Sequence, residues 1–418
     1  MADQLAVWLY GSIVAIVDHE RRRPRLTYTE DALHRYPPGT PLLSLSMPVR
    51  AERYPQGTTK PFLDGLLPEG ESRRTIARDL GIDPADTYGL IDALGRDCAG
   101  AVVIQPADQP APPPPSTLTA EPLTAEALQA LVENLRDAPL GAGGRVRISL
   151  AGVQEKLLLT RMPDRGWGRP VDGTPSTHIL KTEIARYPAT VENEAFCMRI
   201  AHHLGLAVAG VETIEVGGRK LIVVERYDRL VAADGTVERI HQEDLCQATG
   251  TRPDDKYQED GGPSLRTVAR IVEAVAERGS LDTLLRVVTL HALVGNGDAH
   301  AKNISLLHDR AGALRLAPLY DVMSTLCYGD DRLATYIDNV RRVDRLTRAR
   351  IANEGASWGM PRGRCEAIVT DILDRAPDAV AAARDETEGI PNTVLATVRS
   401  QLQRLRRDGP NEAVPGQQ

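Results

Sequence analysis

The run from Leu284 to Val294 constrains this chain more than any other segment. Leu284, Val287, Val288, Leu290, Leu293 and Val294 recur at helical spacing, so the segment reads as a buried helix. Gly295-Asn296-Gly297 is its stop signal. A polar cluster follows, Asp298-Ala299-His300-Ala301-Lys302-Asn303, and then a short apolar strand, Ile304 to Leu307. A second strand-like run, Leu314 to Leu319, leads into Tyr320-Asp321-Val322. Two polar clusters are thereby set at the ends of strands, behind the stop of a buried helix.

The residue types suit phosphoryl transfer. A carboxylate can hold and deprotonate an attacking hydroxyl, and Asn and Asp are hard oxygen donors for magnesium. Asp298, Asn303 and Asp321 stand in the order in which protein kinases carry a catalytic Asp, an Asn and a metal-binding Asp. Spacing alone does not decide, because Asp and Asn also cap helices and make turns, and turn chemistry is the competing reading of each. The helix stop and the flanking strands favour a metal and phosphate site.

At 418 residues the chain has room for two or three domains, and 42% apolar with 26% charged residues is the composition of a soluble globular protein. A formal net charge of −7 argues against non-specific nucleic-acid binding by the whole chain. The basic clusters Arg341-Arg342, Arg345, Arg348, Arg350 and Arg404, Arg406, Arg407 read as solvated helix faces. Cys98, Cys197, Cys246, Cys327 and Cys365 are far apart and form no Cys-x-x-Cys pair, which predicts reduced thiols rather than disulfides or a zinc site. The segment Leu5 to Val14 reads as a strand and turn, not a signal peptide, and no run approaches a membrane span. The expectation is a cytoplasmic protein with no membrane partner.

A proline run within 105–123 reads as a semi-rigid linker. Before it, residues 1–104 mix short strands with a helical piece near Ser72 to Leu80, a small α+β subdomain. Residues 124–230 carry strands around one helix: Arg145 to Leu150 and Lys156 to Thr160 as a hairpin, His178 to Lys181, and Lys220 to Glu225, with Asn193 to Leu204 helical up to Gly205. Residues 231–418 read as mainly helical. The fold expected is α+β and two-lobed, kinase-like, with the catalytic and metal residues in the helical lobe.

Such a fold needs a strand lysine facing the nucleotide phosphates. Lys181 stands at the end of His-Ile-Leu-Lys, ahead of a helix bearing Glu192 and Glu194, either of which could pair with it. The alternative is a lysine pointing to water from a strand end. A turn should cover the phosphates through backbone N–H groups. Ser149 to Lys156 fits that place, although Gly152 is its one glycine and it matches neither a Walker sequence nor Gly-x-Gly-x-x-Gly. The strand ending at Glu225 runs into Arg226-Tyr227-Asp228-Arg229, where an inter-lobe hinge should sit. Backbone groups of Glu225 and Tyr227 suit adenine and Asp228 suits ribose, against a salt-bridged strand end as the alternative.

Six segments, in order, resemble the motif series of HipA-type serine/threonine kinases, the toxins of HipA/HipB toxin–antitoxin pairs. They are Ser149-Leu150-Ala151-Gly152-Val153-Gln154-Glu155-Lys156, His178 to Lys181, Val224 to Arg229, Gln242 to Gln247, Gly297 to Asn303 and Leu319 to Ser324. Gly65 to Gly70 with Gly95 to Gly100 resembles the family's N-terminal subdomain, and Lys256 to Pro263 its flexible segment. The resemblance implies ATP and Mg2+ as cofactors, Asp298 as general base and Asn303 and Asp321 as metal ligands. It places Lys181, His300 and Lys302 against nucleotide, Tyr320 beside the metal aspartate, and the loop Ala151, Gly152, Val153, Gln154, Glu155, Lys156 over the phosphates. Glu225, Arg226, Tyr227 and Asp228 would form the nucleotide-holding hinge, and Ser149 would be the autophosphorylated serine that switches the kinase off. The implied partners are a HipB-like helix-turn-helix antitoxin, operator DNA mainly through that antitoxin, and a protein substrate in translation such as an aminoacyl-tRNA synthetase. Departures are Leu157 where a small polar residue is expected, the glycine placement before Asp298, and a longer proline-rich linker.

Three other readings compete. A small-molecule phosphotransferase would keep the fold and change the substrate. A nucleotide-binding scaffold or co-repressor would lack catalysis, which the presence of Asp298, Asn303, Asp321 and Lys181 opposes. A metal hydrolase would use His291, Asp298, His300 and Asp321, but His291 on an apolar helix reads as a packed core histidine.

Overall fold

The computed structural model describes residues 2–135, 156–171, 173–277, 279–310 and 313–407. Ser149, the loop Ala151, Gly152, Val153, Gln154 and Glu155, and the first strand of the expected hairpin lie outside the described residues. The chain divides into two compact units. One comprises residues 1–184, 212–254 and 305–313, and the other residues 185–211, 255–304 and 314–418.

The first unit is built around two larger sheets. Arg23–Tyr28, Ser12–Glu20, Gln4–Leu9 and Val103–Pro106 form an antiparallel sheet in that order, turned at Tyr10-Gly11, where both residues take positive φ. Its apolar face is covered by the helices Gln56–Leu66, Gly70–Leu80 and Thr87–Leu94, whose Phe62, Leu63, Leu66, Ile76, Tyr88 and Leu90 join Leu5, Val7 and Val14 in one core. The second sheet runs Glu121–Pro122, Trp167–Arg169, Lys156–Arg161, His178–Thr182, Arg219–Glu225, Val211–Val216. Side chains alternate across a strand. Leu157 and Leu159 therefore pack with Leu180, Leu221, Val223 and the helix Ala125–Glu133, while Leu158 joins the core of the first sheet. Burial on both faces explains the apolar run Leu157-Leu158-Leu159.

The proline-rich stretch is not a free spacer. Gln105 Nε2 donates to the Pro110 carbonyl at 2.7 Å, Thr117 N–H to the Gly235 carbonyl at 2.8 Å, and Ser116 bridges Thr236, so 105–123 lies along the first unit. The compact units also part from the expected boundary at 230/231. Residues 231–254 stay in the first unit because His241–Asp244 pairs with Ser305–His308 and His241 Nε2 meets the Leu43 carbonyl at 2.9 Å. The helix Thr190–His203 belongs to the second unit, where Arg199 donates to Thr387 Oγ1 at 2.8 Å and His203 meets Glu386 at 3.0 Å.

The second unit is mainly helical, with Leu265–Val275, Ser280–Val294, Arg348–Ser357, Arg362–Glu386 and Asn392–Arg407. The expected helix Leu284 to Val294 starts a turn earlier, is buried from Leu284 to Val294 except at Arg286, and stops at Gly295 in the left-handed conformation. A hairpin that the sequence reading missed, Arg332–Ile337 with Val340–Arg342, turns on Asp338-Asn339, both at positive φ, as its two-residue turn requires. Among the described residues no helix is long and apolar enough to cross a membrane.

In the first unit, burial holds the imidazoles of His241 and His178 in the neutral form. Burial, aided by His308, pushes the His241 imidazole down to about 3, and burial beside Arg161 pushes His178 down to about 4. Histidine in an unfolded chain titrates near pH 6.5. The unfolded state thus takes the proton first, and stability falls as pH drops below that value. For His241 the loss is about 1.4 kcal/mol per pH unit, or about 2 kcal/mol by pH 5. His178, part-exposed, adds less. The urea midpoint of this unit, read through Trp8 and Trp167, is expected to fall from pH 7 to pH 5, with a shallower slope in His241→Asn.

Candidate active site

Asp298 sits just beyond the buried helix Ser280–Val294, on a loop whose backbone is tied on every side. Asn296 Oδ1 accepts from the Asp298 N–H at 2.9 Å, and Asn303 Nδ2 donates back to the Asp298 carbonyl at 3.0 Å. Gly297 donates to Thr325 Oγ1 at 2.8 Å and accepts from Ala334 N–H at 2.7 Å. A Cβ on Gly297 would fall 2.1 Å from the Arg332 carbonyl oxygen, so only glycine lets the loop pass this close to the strand Arg332–Ile337.

The carboxylate of Asp298 accepts from the Tyr257 hydroxyl at 2.9 Å. Burial raises its pKa to about 6; the Tyr257 hydrogen bond and Lys256 oppose the rise, while Asp321 and Asp330 add to it. A carboxylate raised toward neutrality in this way could accept a proton from a bound hydroxyl. His300 and Lys302 are buried beside it in sequence, and Tyr320 Oη donates to the Lys302 carbonyl at 2.6 Å.

Asp321 takes a left-handed backbone conformation, φ 58°. Aspartate tolerates that region better than most residues, and such strain persists where the surroundings enforce it. Here the enforcement is visible. Asn193, fully buried on the helix Thr190–His203, accepts from Ser324 N–H at 2.9 Å and donates to the Ser324 carbonyl at 2.9 Å. Thr325 and Leu326 N–H both donate to the Gly295 carbonyl at 3.0 Å. The Asp298 and Asp321 loops are thereby fastened to each other through Gly295, Gly297 and Thr325.

Because the Asn303 amide nitrogen is engaged by Asp298, its Oδ1 is the end left for a cation. Asn303 and Asp321 offer oxygen donors only, and no group of three or more His, Cys, Asp or Glu among the described residues could hold a metal ion. A sparse oxygen set of this kind suits magnesium, which keeps water and phosphate oxygens in its shell, and does not suit zinc. His291 is the core histidine the sequence suggested: it is buried, bonded to Asn296 at 3.1 Å, and pushed by burial down to about 4.

In the first unit, Lys156 and Lys181 are cross-strand partners in the antiparallel register, and both are buried. Residues directly opposite across a strand pair share one face of the sheet. Lys156 thus ranks with Lys181, which sequence reasoning had put first. Tyr227 is half-buried and donates its hydroxyl to Gln242 Oε1. The Glu225 side chain is exposed.

Arg226 and Asp228 do not fit the nucleotide-holding places expected for them. The Arg226 N–H donates to the Thr177 carbonyl at 2.9 Å, and the Asp228 carboxylate is buried against Arg226 at 2.8 Å, Arg229 at 2.9 Å and Gly100 N–H at 2.7 Å. Asp228, buried but surrounded by these donors, is held well below the usual carboxylate range and has no open face for a ribose. The strand end is salt-bridged. Its further partner, Asp97, lies far away in sequence, so no local pattern pointed to it. Tyr257, Asn193 and Thr325 were missed for the same reason: each acts through contacts distant in sequence.

Residues 5–105 match the family model of the HipA N-terminal domain, and residues 148–380 that of the HipA-like C-terminal domain. The chain is 40% identical over 403 residues to the Sinorhizobium fredii protein Y4mE, covering 92% of this chain and 93% of that one. It is 32% identical over 337 residues to the serine/threonine-protein kinase toxin HipA of Shewanella oneidensis, covering 77% of this chain and 76% of the relative. The solved complex of Shewanella oneidensis HipA, HipB and operator DNA contains a chain that superposes with a TM-score of 0.81 at 27% identity, over 96% of this chain and 95% of that one.

Proposed function

This chain belongs to the HipA family, and from that premise we propose that it is an ATP- and magnesium-dependent serine/threonine protein kinase acting as the toxin of a toxin–antitoxin pair. The observation that carries the reading is Asp298, a carboxylate raised to about 6 that already accepts a hydroxyl hydrogen bond, on a loop fastened to that of Asp321. A base poised near neutrality takes a proton from an acceptor hydroxyl more readily than an ordinary carboxylate. In the transfer, a seryl or threonyl oxygen bonds the γ-phosphorus, the bond from that phosphorus to the β-phosphate oxygen breaks, Asp298 takes the hydroxyl proton, and ADP leaves.

Asn303 and Asp321 would hold magnesium, which supplies neutralisation of phosphate charge when bound. Lys156 and Lys181 would bind phosphate oxygens, with the loop Ala151 to Glu155 over them and backbone groups of Glu225 and Tyr227 at the base. His300, Lys302 and Tyr320 would border the nucleotide. Ser149 is the proposed self-acceptor: a phosphate there brings roughly −1.5 to −2 charges and repels nucleotide phosphates. The complex of the Shewanella oneidensis relative with HipB and operator DNA supports an antitoxin and operator DNA as partners; the proposed antitoxin is of the helix-turn-helix type, with DNA reached mainly through it. The proposed target is a translation component.

The test is transfer of labelled phosphate from ATP by the native chain, with and without a magnesium chelator, and by Ser149→Ala. Label on the native chain that needs magnesium and disappears from the mapped site in Ser149→Ala supports both activity and self-acceptor. No label from a preparation shown by intact mass to be unphosphorylated, with ATP binding retained, overturns the kinase reading.

A further inference from the structure

Tyr257 donates its hydroxyl to the Asp298 carboxylate at 2.9 Å. That contact is the one a phosphoryl acceptor must make with a general base before transfer. The phenol is not there by chance of a loose side chain. Both neighbours of Tyr257 are tied down: the Lys256 carbonyl accepts from Ala301 N–H at 3.4 Å, and the Gln258 side-chain Oε1 accepts from Tyr336 N–H at 2.8 Å. Its own carbonyl accepts from Asp260 N–H at 3.0 Å and Gly262 N–H at 2.8 Å, closing a tight turn. Gly261 holds that turn in a left-handed conformation, φ 102°, and Gly262 has no room for a Cβ, which would lie 2.7 Å from the Asp255 and Lys256 carbonyl oxygens. The ring stands edge-on to His300, centroids 5.3 Å apart.

We propose that the Tyr257 hydroxyl holds the place of the acceptor hydroxyl at Asp298, so that residues 255–262 form the acceptor subsite and a substrate reaches the base only by displacing Tyr257. This rests on the reading of Asp298 as the general base. The occupant displacing Tyr257 is a seryl or threonyl hydroxyl on an extended segment of a protein. Water, which carries no side chain to push the ring aside, is excluded by the same contact, and this protects ATP from futile hydrolysis.

Tyr257→Phe separates the roles, because phenylalanine keeps the ring against His300 and removes only the hydroxyl. ADP release from ATP is measured first with no acceptor and then with dephosphorylated casein as a generic seryl acceptor. The expected result is a several-fold rise in acceptor-independent ADP release and a several-fold fall in the casein KM. A fall in kcat at unchanged KM, with no rise in hydrolysis, makes Tyr257 a residue that merely orients the base and overturns the proposal. Tyr257→Ala guards against a hidden packing effect: it should raise hydrolysis at least as much as Tyr257→Phe, and lower hydrolysis in both variants counts against displacement. If neither native chain nor variants turn ATP over, the kinase reading fails on its own. The contact is then judged by fluorine NMR of fluorotyrosine at position 257, whose resonance must move in Asp298→Asn for the placement to survive.

Discussion

Asp298→Asn is expected to lower phosphate transfer by about 10²–10⁴-fold, the usual contribution of a positioned general base, while leaving the fold and ATP binding intact. The substitution is nearly isosteric. Its amide oxygen can still accept from Tyr257, and the backbone bonds from Asp298 N–H to Asn296 and from Asn303 to the Asp298 carbonyl do not involve the side chain. What is lost is the capacity to take a proton, and with it one of the negative charges that Asp321 and Asp330 face. Labelled-phosphate transfer and ATP affinity, measured on the same preparation, separate the possibilities. Transfer lost with affinity kept assigns Asp298 to the chemical step. Loss of both assigns it to ligand binding, and retention of transfer removes it from the mechanism.

The chain of residues that leads to Asp298 was legible because it is local. An apolar helical period, a glycine stop and a run of polar residues sit next to one another in sequence, and helix Ser280–Val294, Gly295 and the loop to Asn303 follow that order in the fold. The strands His178–Thr182 and Arg219–Glu225 were legible for the same reason, each being a short branched run. What was not legible is whatever depends on pairing. The opposition of Lys156 and Lys181 is a matter of strand register, which no single segment encodes. The hairpin Arg332–Ile337 with Val340–Arg342 hides in a polar stretch, because charged residues dominate its second strand. The boundary near 230 failed because a unit is defined by long-range contacts: His241 meets Leu43, and Arg199 meets Thr387. The contacts of Asp228 were not legible because its partners Gly100 and Arg229 fold onto it from both near and far in sequence.

Those partners define the position at which a single substitution should cost the fold most. Asp97, buried, meets Arg229 at 3.0 Å, Arg239 at 3.3 Å and Arg226 at 3.5 Å, and accepts from Ser176 N–H at 2.9 Å and Oγ at 2.6 Å. Burial alone would push its carboxyl up; the three guanidinium groups and Ser176 reverse that and hold it below the usual range. Asp97→Ala leaves Arg226 and Arg229 with Asp228 alone and Arg239 with no carboxylate partner among the ion pairs of the cluster. Removing one partner from a buried ion cluster strands uncompensated charge, and the expected loss is about 3–5 kcal/mol, read as a drop in the urea midpoint of the first unit. Arg239 is the guanidinium least well matched, since burial pushes it down to about 10 despite Asp97, whereas Arg226 is held up by Asp228 and Asp97. Asp97→Ala combined with Arg239→Leu restores the charge balance of the native cluster and should therefore be more stable than Asp97→Ala alone. If the double variant is no better, the loss comes from the Ser176 hydrogen bonds and the space left by the carboxylate rather than from stranded charge.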